Sequence, residues 1–226
     1  MVENLRKAVV VIALVLGFGA SIACAQTTLA GSVYGAFQPS SSGNQTTQHP
    51  SNSAGALLEL RHIWNPLLGL EISYSYHRAD EDYTKLLLVP GPTDTVAASI
   101  PTNAHEIAAD WVGSFRLANL RPFVLVGGGW LLDVPAAGNV TATTTLCSTV
   151  GAAACTTSTG SIPTRTQTED VFQYGAGVDW MVLPHIGLRF QYRGNVYKAA
   201  SLSEEFTSTD KFTQDAEPVA GVFFQF

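Results

Sequence analysis

The sequence predicts an all-β protein, an eight-stranded antiparallel up-and-down transmembrane β-barrel preceded by a signal peptide. Three observations lead to this prediction. Segments of about ten residues alternate apolar and polar side chains, the connections between them are alternately long and short, and charged residues recur on the polar face. Of the 226 residues, 13% are charged and 46% are hydrophobic, whereas roughly a quarter of the residues in a soluble domain are charged.

Residues 1–25 have the order of a secretory signal peptide. A positively charged start is followed by the apolar run AVVVIALVLGFGASIA and by the small-x-small site Ala23–Cys24–Ala25. One alternative is a membrane-spanning helix, for which the run is short. The other is a lipoprotein cleaved before Cys24, for which Ser21 is a poor start of the motif. Each interpretation implies export, and the barrel domain is expected to span residues 26–226.

Eight segments follow the period-two pattern of strands. They are 28–38, 54–62, 68–77, 104–115, 122–132, 169–182, 186–197 and 216–226. The connections around Asn65, Asn119 and Pro184 are tight, whereas 39–53, 78–103, 133–168 and 198–215 are long and polar. All long loops therefore emerge at one end, which is typical of outer-membrane barrels.

Hairpin register assigns the charged residues to one shared face. Centring each hairpin on its turn puts Asp179 opposite Arg189, Asp110 opposite Gly128, and Glu59 opposite Glu71. The predicted interior ion-pair network comprises Glu59, Arg61, Glu71, Asp110, Asp179, Arg189 and Arg193. A soluble sandwich, the alternative, would instead enclose its apolar face.

The apolar face is predicted to contact lipid. It carries Leu58, Leu60, Leu70, Ile72, Tyr74, Tyr76, Ile107, Trp111, Phe172, Tyr174, Val178, Trp180, Leu188, Phe190 and Tyr192. Aromatic residues near strand ends predict two girdles at the lipid headgroups. The turn-side girdle would contain Trp64, Phe115, Phe123 and Phe226, and the loop-side girdle Phe37, Tyr76, Phe172, Tyr174 and Tyr197.

The segments RPFVLVGGGWLLD, HIGLRFQYRGNVYK and PVAGVFFQF resemble the small eight-stranded outer-membrane barrels of the OmpA-like and OmpX-like type. The resemblance covers nearly all of residues 26–226. It implies an outer-membrane location, lipid around the barrel, and a last strand paired with the first. It also implies that the barrel-assembly machinery reads the C-terminal strand, with Val222, Phe224 and Phe226 as the assembly signal.

The interior has two possible roles. Side chains about fill the lumen of an eight-stranded barrel, so the ion pairs either plug it or gate a narrow ion path. Glu59 and Glu71 would be costly as bare neighbours. We therefore expect that Arg189 or Arg193 reaches them from the far wall, or that one glutamate holds a proton.

The loops carry the remaining predictions. Cys147 and Cys155 are expected to form a disulfide in an exported protein, because a metal site lacks further ligands nearby. The rest of 133–168 is expected to be mobile. The apolar run 85–92 either packs on the barrel rim or contacts a partner. The segment HRADEDY (77–83) is the best enzyme candidate, but it lacks a partner serine and is interpreted as a solvated acidic loop.

The function expected from the sequence is a structural and surface-interaction role, in which the loops contact an unknown extracellular ligand. A small passive pore gated by the interior ion pairs is the alternative, and an outer-membrane hydrolase is less favoured. The chain is not predicted to be an enzyme, and no cofactor or metal is predicted. The net charge of −6 argues against a nucleic-acid partner, which would require a basic surface.

Overall fold

The computed structural model describes residues 26–65, 67–87, 94–147 and 154–226. The predicted signal peptide at 1–25 and most of the apolar run 85–92 lie outside the described residues. The strands are β1 Gln26–Ala36, β2 Ser41–Gly43, β3 Thr46–Pro50, β4 Ser53–Asn65, β5 Leu68–Leu86, β6 Thr95–Ser114, β7 Leu120–Pro135, β8 Asn139–Cys147, β9 Cys155–Pro163, β10 Gln167–Met181, β11 Ile186–Lys198 and β12 Phe212–Gln225. Within these ranges, no helix is long and apolar enough to cross a membrane.

Eight of these strands close into an antiparallel barrel, as the sequence predicts. Their order around the barrel is β1, β4, β5, β6, β7, β10, β11 and β12. The last strand pairs with the first from Thr28 opposite Gln225 to Tyr34 opposite Val219. This pairing removes the open sheet edge that lipid does not tolerate, because lipid offers no hydrogen bonds to backbone groups.

Side chains alternate between the inside and the outside of the barrel. None of the residues predicted to face lipid is buried, and Leu58 and Phe190 are 53% and 47% exposed. The girdle prediction is wrong for Phe123 and Tyr197, because both side chains are buried inside the barrel. Their position in the alternation overrides their aromatic character, and both rings contact polar groups of the interior.

The barrel wall continues above the membrane, which corrects the loop predictions. β5 and β6 have 19 and 20 residues, whereas a tilted strand needs about 9–11 to cross a bilayer. The outer face of β5 is polar and exposed from Arg78 to Thr84, and on β6 the side chain of His105 lies near the same level. Residues 78–86 and 95–103, predicted as loop, therefore form a two-stranded extracellular extension.

Two additional hairpins dock on this extension. The β2–β3 hairpin pairs with β5 through β3, and the β8–β9 hairpin pairs with β6 through β8. Residues 139–147 and 155–163, which the sequence analysis assigns to a loop, thus form β8 and β9. Threonine favours strands, and the free edge of β6 supplies the backbone partners that make this segment a strand.

An extracellular hydrophobic core holds the loop 199–211 over the barrel mouth. Leu202 and Phe206 are fully buried against the upper parts of β5, β6 and β8. The Phe206 ring stacks on Tyr83 with 5.0 Å between the centroids, and Tyr83 Oη donates a hydrogen bond to the Ala200 carbonyl at 3.0 Å. We call residues 199–211 the cap.

We predict that a charge on the lipid face lowers stability according to its depth. Ala109 is exposed near the middle of the membrane-spanning part of β6, and Ser99 is exposed on the same face of the extracellular part. Ala109→Arg should lower the free energy of unfolding by about 2–4 kcal/mol. Ser99→Arg, the matched control, should leave it nearly unchanged. Urea unfolding in lipid vesicles measures both, and equal effects would contradict the predicted position of the membrane.

Candidate functional site: the barrel interior and its mouth

The barrel interior contains all seven charged residues that the alternation predicted to face inward. Each is at most 2% exposed. They lie on β4 (Glu59, Arg61), β5 (Glu71), β6 (Asp110), β10 (Asp179) and β11 (Arg189, Arg193). The structure divides them into a lower group near the short turns and an upper group around Arg193.

Arg189 is the centre of the lower group. Its Nε and Nη2 donate to the two oxygens of Asp179 at 2.7 and 3.0 Å, across the register pair that the hairpin geometry predicted. Its Nη1 lies 3.3 Å from both Glu59 Oε1 and Glu71 Oε2. The planar fork of arginine allows one guanidinium to serve three carboxylates.

Arg61 completes the lower group and corrects a predicted register. Arg61, rather than Glu59, pairs with Glu71 across the β4–β5 hairpin, and Glu59 lies opposite Ser73. The reason is the position of the turn, because the pairs Arg61–Glu71 and Ile63–Gly69 centre the hairpin one residue beyond Asn65. Arg61 Nε donates to Glu71 Oε2 at 2.6 Å. The two glutamates are therefore not opposed as bare neighbours.

Two phenylalanines cover the guanidiniums from the inside. The Cζ atom of Arg61 lies 3.9 Å from the centroid of the Phe123 ring. The Cζ atom of Arg189 lies 5.5 Å from Phe123 and 5.6 Å from Phe223. Cations attract the negative face of an aromatic ring, which explains why two large apolar side chains lie in a polar lumen.

Arg193 organises the upper group with residues that the sequence analysis missed. Its Nη2 donates to Glu106 Oε1 at 2.5 Å, and its Nε lies 3.4 Å from Glu217 Oε2. Asn195 Nδ2 donates to the second oxygen of Glu106 at 2.9 Å. Glu106 has the same parity on β6 as Asp110, so strict alternation was the signal that could have found it.

Asp110 corrects a second predicted register. It lies opposite Gly127, not Gly128, because the β6–β7 turn is centred between Ala118 and Asn119. A Cβ atom at Gly127 would lie 2.4 Å from the Asp110 carboxylate, so glycine leaves the space that this side chain fills. The described residues give Asp110 no arginine partner.

The segment 77–83 does not form a catalytic group. His77 points into the barrel, where its Nδ1 lies 3.0 Å from Tyr34 Oη, whereas Asp80 and Asp82 are exposed on the outside. Glu81 also points inward, and its Oε2 accepts a hydrogen bond from Gln48 Nε2 at 2.7 Å. Burial raises the pKa of Glu81, which lies above the membrane, to about 7.

The loops contain the predicted disulfide. Cys147 and Cys155 are bonded at the end of the β8–β9 hairpin, where they face each other across the register. The bond ties the two strands together next to residues 148–153, which lie outside the described ranges. Within those ranges, no group of three histidine, cysteine, aspartate or glutamate side chains is arranged to hold a metal ion.

The outer face of β12 is apolar near the short-turn end of the barrel. Val222, Phe224 and Phe226 are exposed on this face, and the rings of Phe224 and Phe226 meet edge to face with their centroids 5.2 Å apart. His185 lies beside Phe224. The terminal aromatic strand therefore presents one continuous side to the lipid.

Comparisons with known proteins agree with this geometry. The sequence model of the family described as outer membrane protein beta-barrel domain matches residues 10–216. A comparison with curated proteins returns no match. Among solved structures, the chain is similar to Neisserial surface protein A, with 16% identity, 90% of this chain and 100% of that chain covered, and a TM-score of 0.46.

Two further solved structures are similar to the chain. For the attachment invasion locus protein Ail of Yersinia pestis, the identity is 13%, the coverage is 89% of this chain and 97% of that chain, and the TM-score is 0.42. For the outer membrane protein OprG of Pseudomonas aeruginosa, the identity is 11%, the coverage is 89% and 95%, and the TM-score is 0.48.

We predict that the buried Arg189 is essential for the stability of the barrel and that the exposed Lys198 is not. Arg189→Met leaves three buried carboxylates without their shared partner, and removing one partner of a buried ion pair costs about 3–5 kcal/mol. Lys198, whose Nζ lies 2.6 Å from Asp210 on the exposed surface, is the matched control. Lys198→Met should leave the urea unfolding midpoint almost unchanged. Equal midpoints for the two variants would contradict the prediction.

Proposed function

This chain belongs to the family of outer membrane protein beta-barrel domains, and we propose that it is a structural and surface-interaction protein of the outer membrane. Its apolar outer face contacts the membrane lipid. The long connections form the extracellular part of such barrels and the short turns the periplasmic part. The extension of β5 and β6, the two docked hairpins and the cap then form the surface that meets an extracellular ligand.

The observation that best supports this proposal is that much of the extracellular part consists of paired strands. β8 and β9 pair along their full length from Asn139 opposite Pro163 to the disulfide. Most side chains of β9 are exposed, and they are largely threonine and serine. A rigid scaffold that presents exposed polar side chains is a common arrangement for binding.

The packed interior supports a structural role for the barrel. Arg189 and Arg193 are fully buried, and each contacts carboxylates from more than one strand. Such cross-barrel ion pairs fill the lumen and connect opposite walls. We propose that they act as a plug.

We also propose that the outer face of β12, defined by Val222, Phe224 and Phe226, is the segment that the barrel-assembly machinery recognises. The exposed and aromatic character of this face supports the proposal. The described residues offer little support for a hydrolase. Ser40 Oγ lies 2.5 Å from His49 Nδ1, but both side chains are on the exposed outer surface, without an enclosing pocket.

We predict that removal of the β8–β9 hairpin abolishes surface binding and preserves the barrel. Thr164 N donates to the Gly138 carbonyl at 3.0 Å, so an Asn-Gly turn can join these two residues in place of 139–163. Bacteria that carry the full chain should adhere to at least one of a panel of matrix proteins and glycans, and bacteria with the shortened chain should not.

The control for this experiment is the double variant Cys147→Ser, Cys155→Ser, which keeps the hairpin and removes its cross-link. It should bind more weakly than the full chain and more strongly than the shortened one. The mobility of unboiled protein in detergent gels verifies that each barrel is closed. Unchanged adhesion of the shortened chain would contradict the proposed role of the hairpin.

A gated pore is the second candidate, and one observation favours it. Arg61 Nη2 and Arg193 Nη1 are buried without a hydrogen-bond partner in the described part of the chain. Glu59 and Glu71 also share a single nitrogen of Arg189. Because these guanidinium nitrogens are free and the two carboxylates share one donor, the arginines and carboxylates can adopt a second set of ion pairs. A gate requires such a second arrangement.

Planar-bilayer conductance separates a plug from a gate. If the ion pairs are a gate, the protein conducts in steps, and Arg189→Gln changes the size or frequency of the steps because it removes a switching charge. If they are a plug, the protein conducts little, and the substitution only lowers stability. Lys198→Gln, on the outer surface, is the control that should have no effect in either case.

A further inference from the structure

A small cavity lies at the extracellular mouth of the barrel, beneath the cap. Its polar lining includes Gln38, Gln48, His77, Glu81, Asp133 and Tyr197. The space open to the centre of a water-sized sphere is about 10 Å³, which is the room that one water-sized group needs. The innermost space of the cavity therefore holds a single polar group of about the size of a water molecule.

Two amide oxygens that line this cavity are buried without a partner among the described residues, and a carboxylate beside them accepts no side-chain hydrogen bond. Gln48 is 5% exposed and uses its Nε2 on Glu81, while its Oε1 has no partner in the described part of the chain. Gln38 uses its Nε2 on Asp215 and Tyr197, and its Oε1 likewise has no partner. Asp133 is 8% exposed and accepts no side-chain hydrogen bond from a described residue. Buried acceptors without donors are costly and rare.

Two carboxyl groups at the cavity have no cationic partner among the described residues. Glu81 and Asp133 form no ion pair among the described residues, and the three buried arginines serve carboxylates deeper in the barrel. Asp133 lies opposite Gln167, three residues beyond the exposed Asp170, so the cavity is above the lipid. A group that occupies it must supply hydrogen-bond donors and positive charge.

We propose that this cavity binds the ammonium head of a primary amine. An ammonium group has three N–H donors and no acceptor, which matches the two unpartnered amide oxygens of Gln38 and Gln48 together with the carboxylate of Asp133. Its charge offsets that of Asp133, and its head is close to water in size. A metal ion fits less well, because no described group of three metal-ligating side chains is present. A quaternary amine has no N–H to donate.

Amine binding should tighten as the pH rises through about 7. Burial raises the pKa of Glu81 to about 7 and that of Asp133 well above its usual range, so protons compete with the amine for the carboxylates. The titratable and charged groups around these two are His77, Asp80, Asp82 and Tyr83 on β5, Glu169 on β10, Tyr197 and Lys198 on β11, Asp215 on β12, and Arg165.

Calorimetric titration of the refolded protein in detergent with methylammonium tests the proposal. The full chain should bind methylammonium, and Asp133→Asn should weaken binding at least tenfold. Gln48→Met, which removes an acceptor without a charge, should also weaken it. Asp82→Asn removes an exposed carboxylate from the same rim and should have no effect. Gel mobility of each unboiled variant verifies that the barrel has folded.

Further titrations define the specificity and the source of the amine. Tetramethylammonium and potassium should bind at least tenfold more weakly than methylammonium. Binding of Nα-acetyl-lysine amide as well as methylammonium would indicate a protein lysine as the source, and binding of methylammonium alone would indicate a free small amine. No binding of methylammonium, equal binding by Asp133→Asn, or equal binding of potassium would overturn the proposal.

Discussion

The pairing of β12 with β1 is the constraint on which the rest of the structure depends. A sheet in lipid cannot leave backbone donors or acceptors unpaired, so the eight strands close. Closure encloses every second side chain, and these side chains must satisfy each other's charges and hydrogen bonds. The contacts of Arg189 and Arg193 with carboxylates from several strands follow from this enclosure.

The enclosed charges are distributed unevenly along the barrel axis. Arg61 and Arg189 lie near the short turns, covered by Phe123 and Phe223, and Arg193 lies above them. At the mouth, carboxylates are buried without an arginine partner. The lower part is thus held by ion pairs between arginines and carboxylates, whereas the upper part has acceptors in excess, beneath a cap held by its own apolar core. The proposed structural and binding roles are accordingly separated in space.

Particular residues show which contacts the alternation of apolar and polar side chains predicts correctly and which it does not. It assigned Arg189 and Asp179 to one face and one register pair, because the β10–β11 turn is symmetric about Pro184. It misassigned the partners of Glu59 and Asp110, because a one-residue or two-residue shift at a turn changes every opposite pair. The girdle pattern, not the alternation, placed Phe123 on the lipid, because a rule based on aromatic residues at strand ends does not register that a guanidinium favours an aromatic face.

The sequence by itself determined the fold class, the inside and outside of each strand, and the disulfide, because period-two alternation and cysteine spacing are local properties. Only the tertiary structure decided which carboxylate meets which arginine, since those contacts cross the lumen between residues far apart in the chain. It also decided that 139–147 and 155–163 are strands and that 199–211 caps the mouth. These segments take their structure from the free edges and apolar surfaces that the closed barrel offers them.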